Sequence, residues 1–232
     1  MGFGENLSFL RKMRNQMSQE ELAEKIGVSR QTVSKWELNS CYPEMNKVIE
    51  ICNIFSCSMD ELVQKDMNVC DDAFTDIRVE EIEEFQYIRY AVVSIEPEDD
   101  AMEHVRKWAS LLEIENPIIV GWDFPIVSQE QINIFHMHGY ASALILPDNQ
   151  QLSLLDNMEV IKQQKQKYAA ITIMNPFSAP FHLIPNAYKT LMYHIKINQL
   201  SDREPENVIS CFEKVYERDG IICMDVYIAI EK

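Results

Sequence analysis

The sequence lacks any apolar run that could cross a membrane. A helix needs about 20 consecutive, mostly apolar residues to span the bilayer, and no segment of the 232 residues approaches that length. The amino terminus also lacks a charged segment followed by an apolar one, which is the pattern of a secretory signal peptide. We therefore expect a cytoplasmic protein with no membrane partner.

The sequence also lacks the cysteine spacing of a zinc site. Its six cysteines form no CxxC pair and no combination with histidine at ligand spacing. His136 and His138 lie two apart in a predicted strand and would share a face, but no third ligand accompanies them. We therefore expect neither a metal nor a cofactor. Buried free thiols are the favoured interpretation of the cysteines, and redox sensing is the alternative.

Positive charge is scarce and unevenly placed. The chain has 21 Lys and Arg against 37 Asp and Glu, a net charge of −16. Residues 1–66 carry 8 basic and 10 acidic side chains, a net of −2, whereas the remaining residues carry 13 and 27, a net of −14. Because phosphate contacts depend on local basic groups, the overall acidity does not exclude nucleic acid as a partner of the N-terminal part.

Length and composition predict two domains. A chain of this length, with 47% hydrophobic residues, can build two separate cores. The pattern of its first part is typical of a run of short helices. A polar, acidic stretch follows these helices. We predict a helical domain at residues 1–65, a linker at 66–77 and a second domain at 78–232.

The second domain shows a repeated pattern of strands and helices. The order β-α-β-β occurs twice, which predicts an α+β domain of two similar units that share an antiparallel sheet or face each other across a groove. The first set comprises a strand at 82–95, a helix at 98–112 and strands at 118–124 and 135–146. After a loop and short helical piece at 147–167, the second set comprises a strand at 168–174, a helix at 185–197 and strands at 211–216 and 221–230.

Three predicted helices of the first domain begin with the same local signature. Ser18 and Ser58 are each followed three residues later by glutamate, so each can form a capping box, and Ser29 carries a weaker version. Each cap also lies between two apolar residues at the spacing of a hydrophobic staple. Gly27 can supply the positive φ that a tight turn between two helices requires. These signals predict a helix-turn-helix within residues 18–37.

The third of these helices, residues 30–38, divides into two faces. At about 100° per residue, Val33 and Trp36 point to one side, and Arg, Gln, Thr, Ser and Lys occupy the opposite face and its flanks. Arg and Gln can each bond two base-edge atoms at once, so this face suits double-stranded DNA. The alternative is an ordinary helical bundle whose polar face is only solvated.

The segment SQEELAEKIGVSRQTVSKWE resembles the phage-repressor (Xre/Cro) helix-turn-helix family, and the resemblance covers about residues 5–64. It implies an operator partner, with Gln19 on a phosphate and the third helix in the major groove; we expect a homodimer. Asn39 replaces a common glycine, but Asn tolerates the left-handed conformation. The candidate DNA-binding residues are Gln19, Ser29, Arg30, Gln31, Thr32, Ser34 and Lys35.

The second domain is rich in aromatic residues near carboxylates. A cleft lined by aromatic groups around one buried carboxylate would favour a flat, cationic or polar-aromatic ligand. Alternatively, the aromatic groups fill two cores and the carboxylates are solvated.

The stretch from Ile82 onward is similar to the gyrase-inhibitor-like (GyrI-like) effector-binding domain. The similarity rests on Trp108, the GWDFP segment at 121–125, Tyr140, and Glu213 three residues before Tyr216. It implies a ligand cleft between two β-α-β-β units, with Glu213 matching the family's ligand-contacting acid. Departures occur just before Glu213, where the family often has proline, and in PFSAPF, which replaces a glycine-containing turn. The candidate ligand-binding residues are Trp122, Phe124, Tyr140, Glu213 and Tyr216.

Three functions fit these patterns. The favoured one is a DNA-binding transcriptional regulator whose C-terminal domain binds a small lipophilic, aromatic or cationic effector. The second is a hydrolase of reactive small molecules in the C-terminal domain, since some GyrI-like relatives have that activity. Hydrolysis is disfavoured because no Cys or His accompanies the carboxylate at a recognisable spacing, so we assign no catalytic residue. In the third, the C-terminal domain serves only for dimerisation.

Overall fold

A computed structural model describes residues 2–67, 71–75, 77–124, 128–148, 158–200 and 208–231. The chain forms two compact units. The helical unit comprises Met1–Phe74, Ala179–Asp202 and Ile230–Lys232, and the sheet unit comprises Thr75–Ser178 and Arg203–Ala229. The domain boundaries expected from the sequence stay a prediction, because residues 68–70 and 76 of the expected linker lie outside the described residues.

The helices agree with the prediction to within one residue at 30–38 and 98–112, but the one expected at 185–197 begins five residues earlier and the short one at 129–133 was not predicted. In chain order they are α1 (Phe3–Met13), α2 (Gln19–Ile26), α3 (Arg30–Glu37), α4 (Met45–Phe55), α5 (Met59–Val63), α6 (Pro97–Leu111), α7 (Gln129–Asn133) and α8 (Pro180–Ile197). Both predicted capping boxes form, at Ser18 and Ser58. Gly27 has φ +67°, and Asn39 after α3 has φ +54°, so both adopt the left-handed conformation expected of them.

The core of the helical unit includes one helix from far along the chain. Residues from α1 to α5 form a buried cluster around Leu7, Leu22 and Phe55, and Ile197 at the end of α8 belongs to the same cluster. The ring of Tyr193 packs edge-on against Phe9, with ring centroids 6.0 Å apart. Periodicity predicted a helix here, but not that it would complete the core of the N-terminal helices.

Polar contacts also attach the end of α8 to the N-terminal helices. The Asn198 side-chain amide donates to the Met13 carbonyl over 3.1 Å, and the Arg14 guanidinium donates to the Ile197 carbonyl. Lys196 forms an ion pair with Glu61, with Nζ and Oε2 3.1 Å apart. The last two turns of α8 are therefore an integral part of the helical unit.

The sheet unit contains one eight-stranded antiparallel sheet. Its strand order is β1-β6-β8-β7-β3-β4-β2-β5. The strands are β1 (Arg78–Ile82), β2 (Phe85–Ser94), β3 (Ile118–Asp123), β4 (His138–Ile145), β5 (Val160–Gln163), β6 (Gln166–Met174), β7 (Cys211–Arg218) and β8 (Ile221–Ile230). The predicted fold class, a helical bundle followed by an α+β domain of duplicated β-α-β-β units, is confirmed.

Each half of the sheet has one strand more than the sequence predicted. The predicted strand at 82–95 corresponds to β2, and a further strand, β1, precedes it, because the chain turns at 83–84 without a Gly, Pro, Asn or Asp that would signal it. The short strand β5 lies in a stretch that was expected to be a loop with a helical piece. Residues 149–157 of that stretch lie outside the described residues. β1 precedes β2 along the chain but pairs with β6 of the second half, and β5 precedes β6 but pairs with β2 of the first half. Each of these two strands therefore lies at the edge formed by the other half.

The sheet curls strongly. β1 and β2 occupy the first and seventh positions in the order, yet only residues 83–84 separate them along the chain. Such a short connection requires the two edges of the sheet to approach each other. The concave face consequently has its own core, to which strands distant in the order contribute Tyr87, Tyr168, Phe212 and Tyr227.

The opposite face of the sheet packs against α6. Val105 and Trp108 on this helix lie in one buried cluster with Ile88 of β2 and Leu144 of β4. This packing leaves the first residues of β4, from His138 to Ser142, beside the start of α6. Within the described parts of the chain, no helix combines the length and apolarity needed to cross a membrane.

Candidate functional sites

The orientation of α3 is determined by its buried face. Val33 is fully buried and Trp36 nearly so, and both belong to the core of the helical unit. Ser29 caps the helix by accepting a hydrogen bond from the Thr32 backbone amide over 3.1 Å. With this face and the N-terminus held in place, the other face of α3 must point to solvent.

Four of the predicted DNA-binding side chains line one groove on that outer face. The groove has a volume of about 240 Å³ and is formed by Arg30, Gln31, Ser34 and Lys35. Together they present a guanidinium, an amide, a hydroxyl and an ammonium group. Because these groups donate hydrogen bonds and two of them are cationic, the groove suits acceptors on base edges and phosphate oxygens.

The other three predicted DNA-binding residues make bonds within the protein. The Gln19 side-chain amide donates to Glu37 over 2.8 Å. The hydroxyls of Ser29 and Thr32 are hydrogen-bonded to each other at 2.8 Å. These contacts place all three around the ends of α2 and α3, and their part in DNA contact stays a prediction.

A buried ion pair ties α1 to the end of α3. Arg11 donates to both carboxylate oxygens of Glu37, over 2.6 and 3.1 Å, and also to the Met17 carbonyl over 2.5 Å. The two side chains are only 11% and 8% exposed. The pair holds the end of α3 against α1, on the side of the helix away from its polar face. No local sequence pattern relates residues 26 positions apart, so this pair was not predicted.

This arrangement of α2, a left-handed glycine and a capped α3 can be compared with known families. Residues 9–62 match the family model described as Helix-turn-helix. The N-terminal part of the chain is therefore a helix-turn-helix domain, as the resemblance to the Xre/Cro family predicted. The match includes the polar face of α3 but not the sheet unit.

Two relatives share the helix-turn-helix domain. The HTH-type transcriptional activator BcrR of Enterococcus faecalis is 44% identical over 63 residues, which are 27% of this chain and 30% of that protein. The uncharacterized HTH-type transcriptional regulator YqaE of Bacillus subtilis (strain 168) is 35% identical over 66 residues, 28% of this chain and 56% of that protein. The chain thus spans about a third to a half of the relatives' lengths, and both similarities concern the helix-turn-helix domain.

One solved structure aligns with most of the chain. It is described as the cryo-EM structure of the EcmrR-DNA complex in EcmrR-RPo, and it covers 92% of this chain and 99% of its own. The TM-score is 0.48 and the sequence identity 10%. Similarity at this level supports no functional conclusion.

The centre of the sheet brings two predicted ligand-binding residues together. Gly121 of β3 pairs with Ser142 of β4 on one side and with Glu213 of β7 on the other, where the two halves of the sheet meet. Tyr140 folds over Gly121, since a Cβ at Gly121 would lie 2.1 Å from the Tyr140 hydroxyl oxygen. The Tyr140 hydroxyl is hydrogen-bonded to the Glu213 carboxylate. Glycine at 121 therefore makes room for this contact.

The surroundings of Tyr140 are strongly negative. Burial, together with the carboxylates of Glu213, Asp123 and Glu98, raises the pKa of Tyr140 far above its ordinary value, so it stays protonated. Desolvation and the nearby Glu98 carboxylate also raise the pKa of Asp123, while His138 opposes that shift. Three carboxylates around one buried phenol create a potential that favours a cation.

The other predicted ligand-binding residues do not join this pair. Trp122 packs against the core of the concave face. Tyr216 lies three positions after Glu213 in the same strand and hence on the opposite face, where its hydroxyl donates to Asp225 over 3.2 Å. The ring of Phe124 lies within 2.6 Å of where a Cβ on Gly139 would be. The candidate site therefore consists of Tyr140 and Glu213.

An aromatic cluster between the sheet and α6 was not predicted from the sequence. The ring of Tyr90 on β2 stacks on His104 of α6, with centroids 3.7 Å apart and planes 7° from parallel. Trp108 meets both rings edge-on. His104 and Trp108 lie four residues apart on one helix, so their spacing places them on one face. Only the packing of α6 on the sheet shows that Tyr90 contacts both.

The two histidines considered for metal binding do not share a strand face. β4 begins at His138, and His136 lies before it with φ +52°. The left-handed turn at His136 breaks the alternation on which the prediction depended. Of the GWDFP segment, Pro125 lies outside the described residues.

Proposed function

We propose that the protein is a transcriptional regulator that binds a double-stranded DNA operator through α3 and responds to a small aromatic cation bound near Glu213 and Tyr140. One observation carries the proposal. Four DNA-compatible side chains, Arg30, Gln31, Ser34 and Lys35, line a single groove on a helix whose other face is locked in the core. The similarity of the helix-turn-helix domain to those of named regulators supports it.

The polar groove of α3 would enter the major groove and read base edges. Gln31 can bond adenine through two atoms and Arg30 can bond guanine in the same way. Lys35 lies one turn further along and would contact a phosphate or a base. The helical unit has a net charge close to neutral, so we expect affinity to depend on these local contacts and to fall with salt.

Replacing Gln31 and Lys35 by alanine should weaken operator binding. Each base contact of this kind contributes about 1–3 kcal/mol, so each variant should lose about tenfold to a hundredfold in affinity. Gln31→Ala should relax specificity at one base pair, and loss of a phosphate contact in Lys35→Ala should reduce the slope of log affinity against log salt by about one. Fluorescence anisotropy with operators selected from random duplexes measures both effects.

Exposed polar residues elsewhere in the same domain provide the matched control. Lys12→Ala on α1 and Gln64→Ala after α5 remove the same chemical groups away from α3. We expect both to leave affinity and folding unchanged. Equal affinity of the Gln31→Ala and Lys35→Ala variants and the parent protein would exclude α3 as the recognition helix.

We further propose that the regulator acts as a homodimer. Helix-turn-helix dimers bind two half-sites about one helical turn apart. Three exposed apolar side chains, Leu38, Tyr42 and Met45, follow α3 in sequence and are available to a second copy of the chain. Sedimentation of the full chain, and two-fold symmetry in the selected operators, test this state.

The site at Glu213 would recognise an aromatic cation through charge and ring contacts. Glu213 supplies the anionic partner, and Glu98 and Asp123 add to the negative potential. Tyr90 pairs with Ser142 in the sheet, so its ring lies on the same sheet face as that of Tyr140. A desolvated cation over an aromatic ring gains about 2 kcal/mol. Recognition of a cation would explain why three carboxylates surround the Tyr140 phenol.

Glu213→Gln should abolish most of the response to aromatic cations. A quaternary ammonium has no N–H to donate, so Glu213 would attract it by charge alone. Opposite charges about 4 Å apart near a protein surface attract by about 4 kcal/mol, so binding of an aromatic quaternary ammonium should weaken about tenfold or more when this charge is removed. The measurement is the rise in melting temperature of the full chain with ligand, checked by calorimetry. Glu217→Gln, on the same strand face and exposed, should retain the parent response.

Two other outcomes of this experiment would favour the other functions. If no cation stabilises the parent protein, the C-terminal domain serves only for dimerisation. If the parent protein hydrolyses reactive electrophiles and Glu213→Gln stops the reaction, the domain is an enzyme.

A further inference from the structure

Two cysteines meet at the C-terminal end of α4. Ser56, the residue after the helix, adopts φ +53°, and the backbone amide of Cys57 donates to the Cys52 carbonyl over 3.1 Å. This six-residue closure is the Schellman motif, in which the side chains at its two ends come into contact. The local backbone therefore places the two thiols side by side.

The same closure recurs at four other helix ends, each with a left-handed residue and the same backbone hydrogen bond, 2.9 or 3.0 Å long. At α3 the pair is polar, Lys35 and Ser40. At the other three ends the pairs are apolar: Ala23 and Val28, Ala109 and Ile114, and Ile195 and Leu200. At α4 two thiols take the place of an apolar contact, and their side chains are hydrogen-bonded to each other.

We propose that Cys52 and Cys57 are a redox-active dithiol, which hydrogen peroxide converts into a disulfide within the helix-turn-helix domain. One thiolate sulfur attacks a peroxide oxygen, which breaks the O–O bond, forms a sulfenic acid and releases one water after protonation. The second sulfur attacks the sulfenic sulfur and displaces a second water. Two thiols and one peroxide yield one disulfide and two waters.

Closing this disulfide would use a turn that is already formed. The sulfurs must approach to about 2.05 Å, and the turn between the two cysteines is already closed by backbone hydrogen bonds. Each cysteine is 9% exposed. Ser56, the neighbour of Cys57, lines a groove of about 630 Å³ together with Glu61, Tyr193 and Lys196, so this groove reaches the residue next to the pair.

The surroundings of the pair make the reaction slow. Burial raises the pKa of the Cys57 thiol to about 12 and raises that of Cys52 as well, while the Lys196 ammonium has a smaller opposite effect on Cys57. Because the thiolate is the reacting form, we expect oxidation over minutes to hours in excess peroxide. This inference does not depend on the proposed regulatory function.

Peptide mass spectrometry of the folded full chain tests the proposal. Reduced protein is treated with excess hydrogen peroxide, remaining thiols are alkylated in denaturant, and the digest is analysed without reduction. The expected product is a peptide linking Cys52 to Cys57, two hydrogens lighter than the dithiol. Cys41→Ser, which removes an exposed cysteine, should leave the yield unchanged.

Two variants distinguish this pair from a merely apolar contact. In Cys57→Ser, Cys52 should stop at the sulfenic acid, which dimedone traps, with far-UV circular dichroism confirming the fold. In the double variant Cys52→Ala/Cys57→Val, which copies the pair at the end of α2, the linked peptide must vanish while folding persists. If Cys52 and Cys57 stay reduced while Cys41 is oxidised, or link only in denaturant, the proposal is wrong.

Discussion

Arg11→Met should lower the free energy of unfolding of the helix-turn-helix domain by about 3–5 kcal/mol, the usual effect of leaving one partner of a buried ion pair alone. Glu37 would keep its charge in a site where it is only 8% exposed and would lose both of its hydrogen bonds from Arg11. Only the weaker contact from Gln19 would remain to it. The end of α3 should loosen as a result.

Urea unfolding of the full chain, followed by the fluorescence of Trp36 in a background where Trp108 and Trp122 are replaced by Phe, measures this loss. Lys12→Met removes a neighbouring exposed cation and should change stability by less than about 0.5 kcal/mol. The double variant Arg11→Met/Glu37→Leu should regain most of the loss, because no unpaired charge remains. A single-variant loss below about 1 kcal/mol would show that the pair behaves like an exposed one.

Ile197→Ala should destabilise the same domain by about 2–5 kcal/mol, the usual cost of truncating a large buried side chain. Ile197 is 1% exposed and belongs to the core formed by α1 to α5, although it lies more than 130 residues further along the chain. The isolated fragment 1–74 should accordingly melt below the helical unit of the full chain, because it lacks the whole of α8.

Met192→Ala on the exposed side of α8 is the matched control, and we expect it to be nearly neutral. Circular dichroism melts and hydrogen exchange of α1 and α4 distinguish the variants. Equal protection of these helices in fragment 1–74 and in the full chain would contradict the role of α8.

The helix-turn-helix was predictable because its determinants are local. Ser18 and Ser58 accept bonds from backbone amides three residues away, and Gly27 closes a turn within its own helix end. The polar and apolar faces of α3 follow from the pitch of one helix. Such interactions act over about one helical turn, so a single sequence contains both partners close together.

The candidate ligand site was predictable only in part. Glu213 and Tyr140 were named from a family resemblance, but their hydrogen bond depends on Gly121 lying between them in the sheet. Tyr216 was named from the same resemblance, and strand alternation places it on the other face. The sheet register across distant strands decides such pairings, and nothing in the local sequence specifies it.

The residues alone were sufficient to predict the caps, the turn and the outward face of α3, together with the division into a helical and an α+β part. The folded chain was needed to pair Arg11 with Glu37, to bring Tyr140 against Glu213 and to assign α8 to the N-terminal core. The first set depends on hydrogen bonds and side-chain directions within a few residues. The second depends on which distant parts of the chain pack together and exclude water. Because the hydrophobic effect is non-directional, the local sequence does not specify which parts these are.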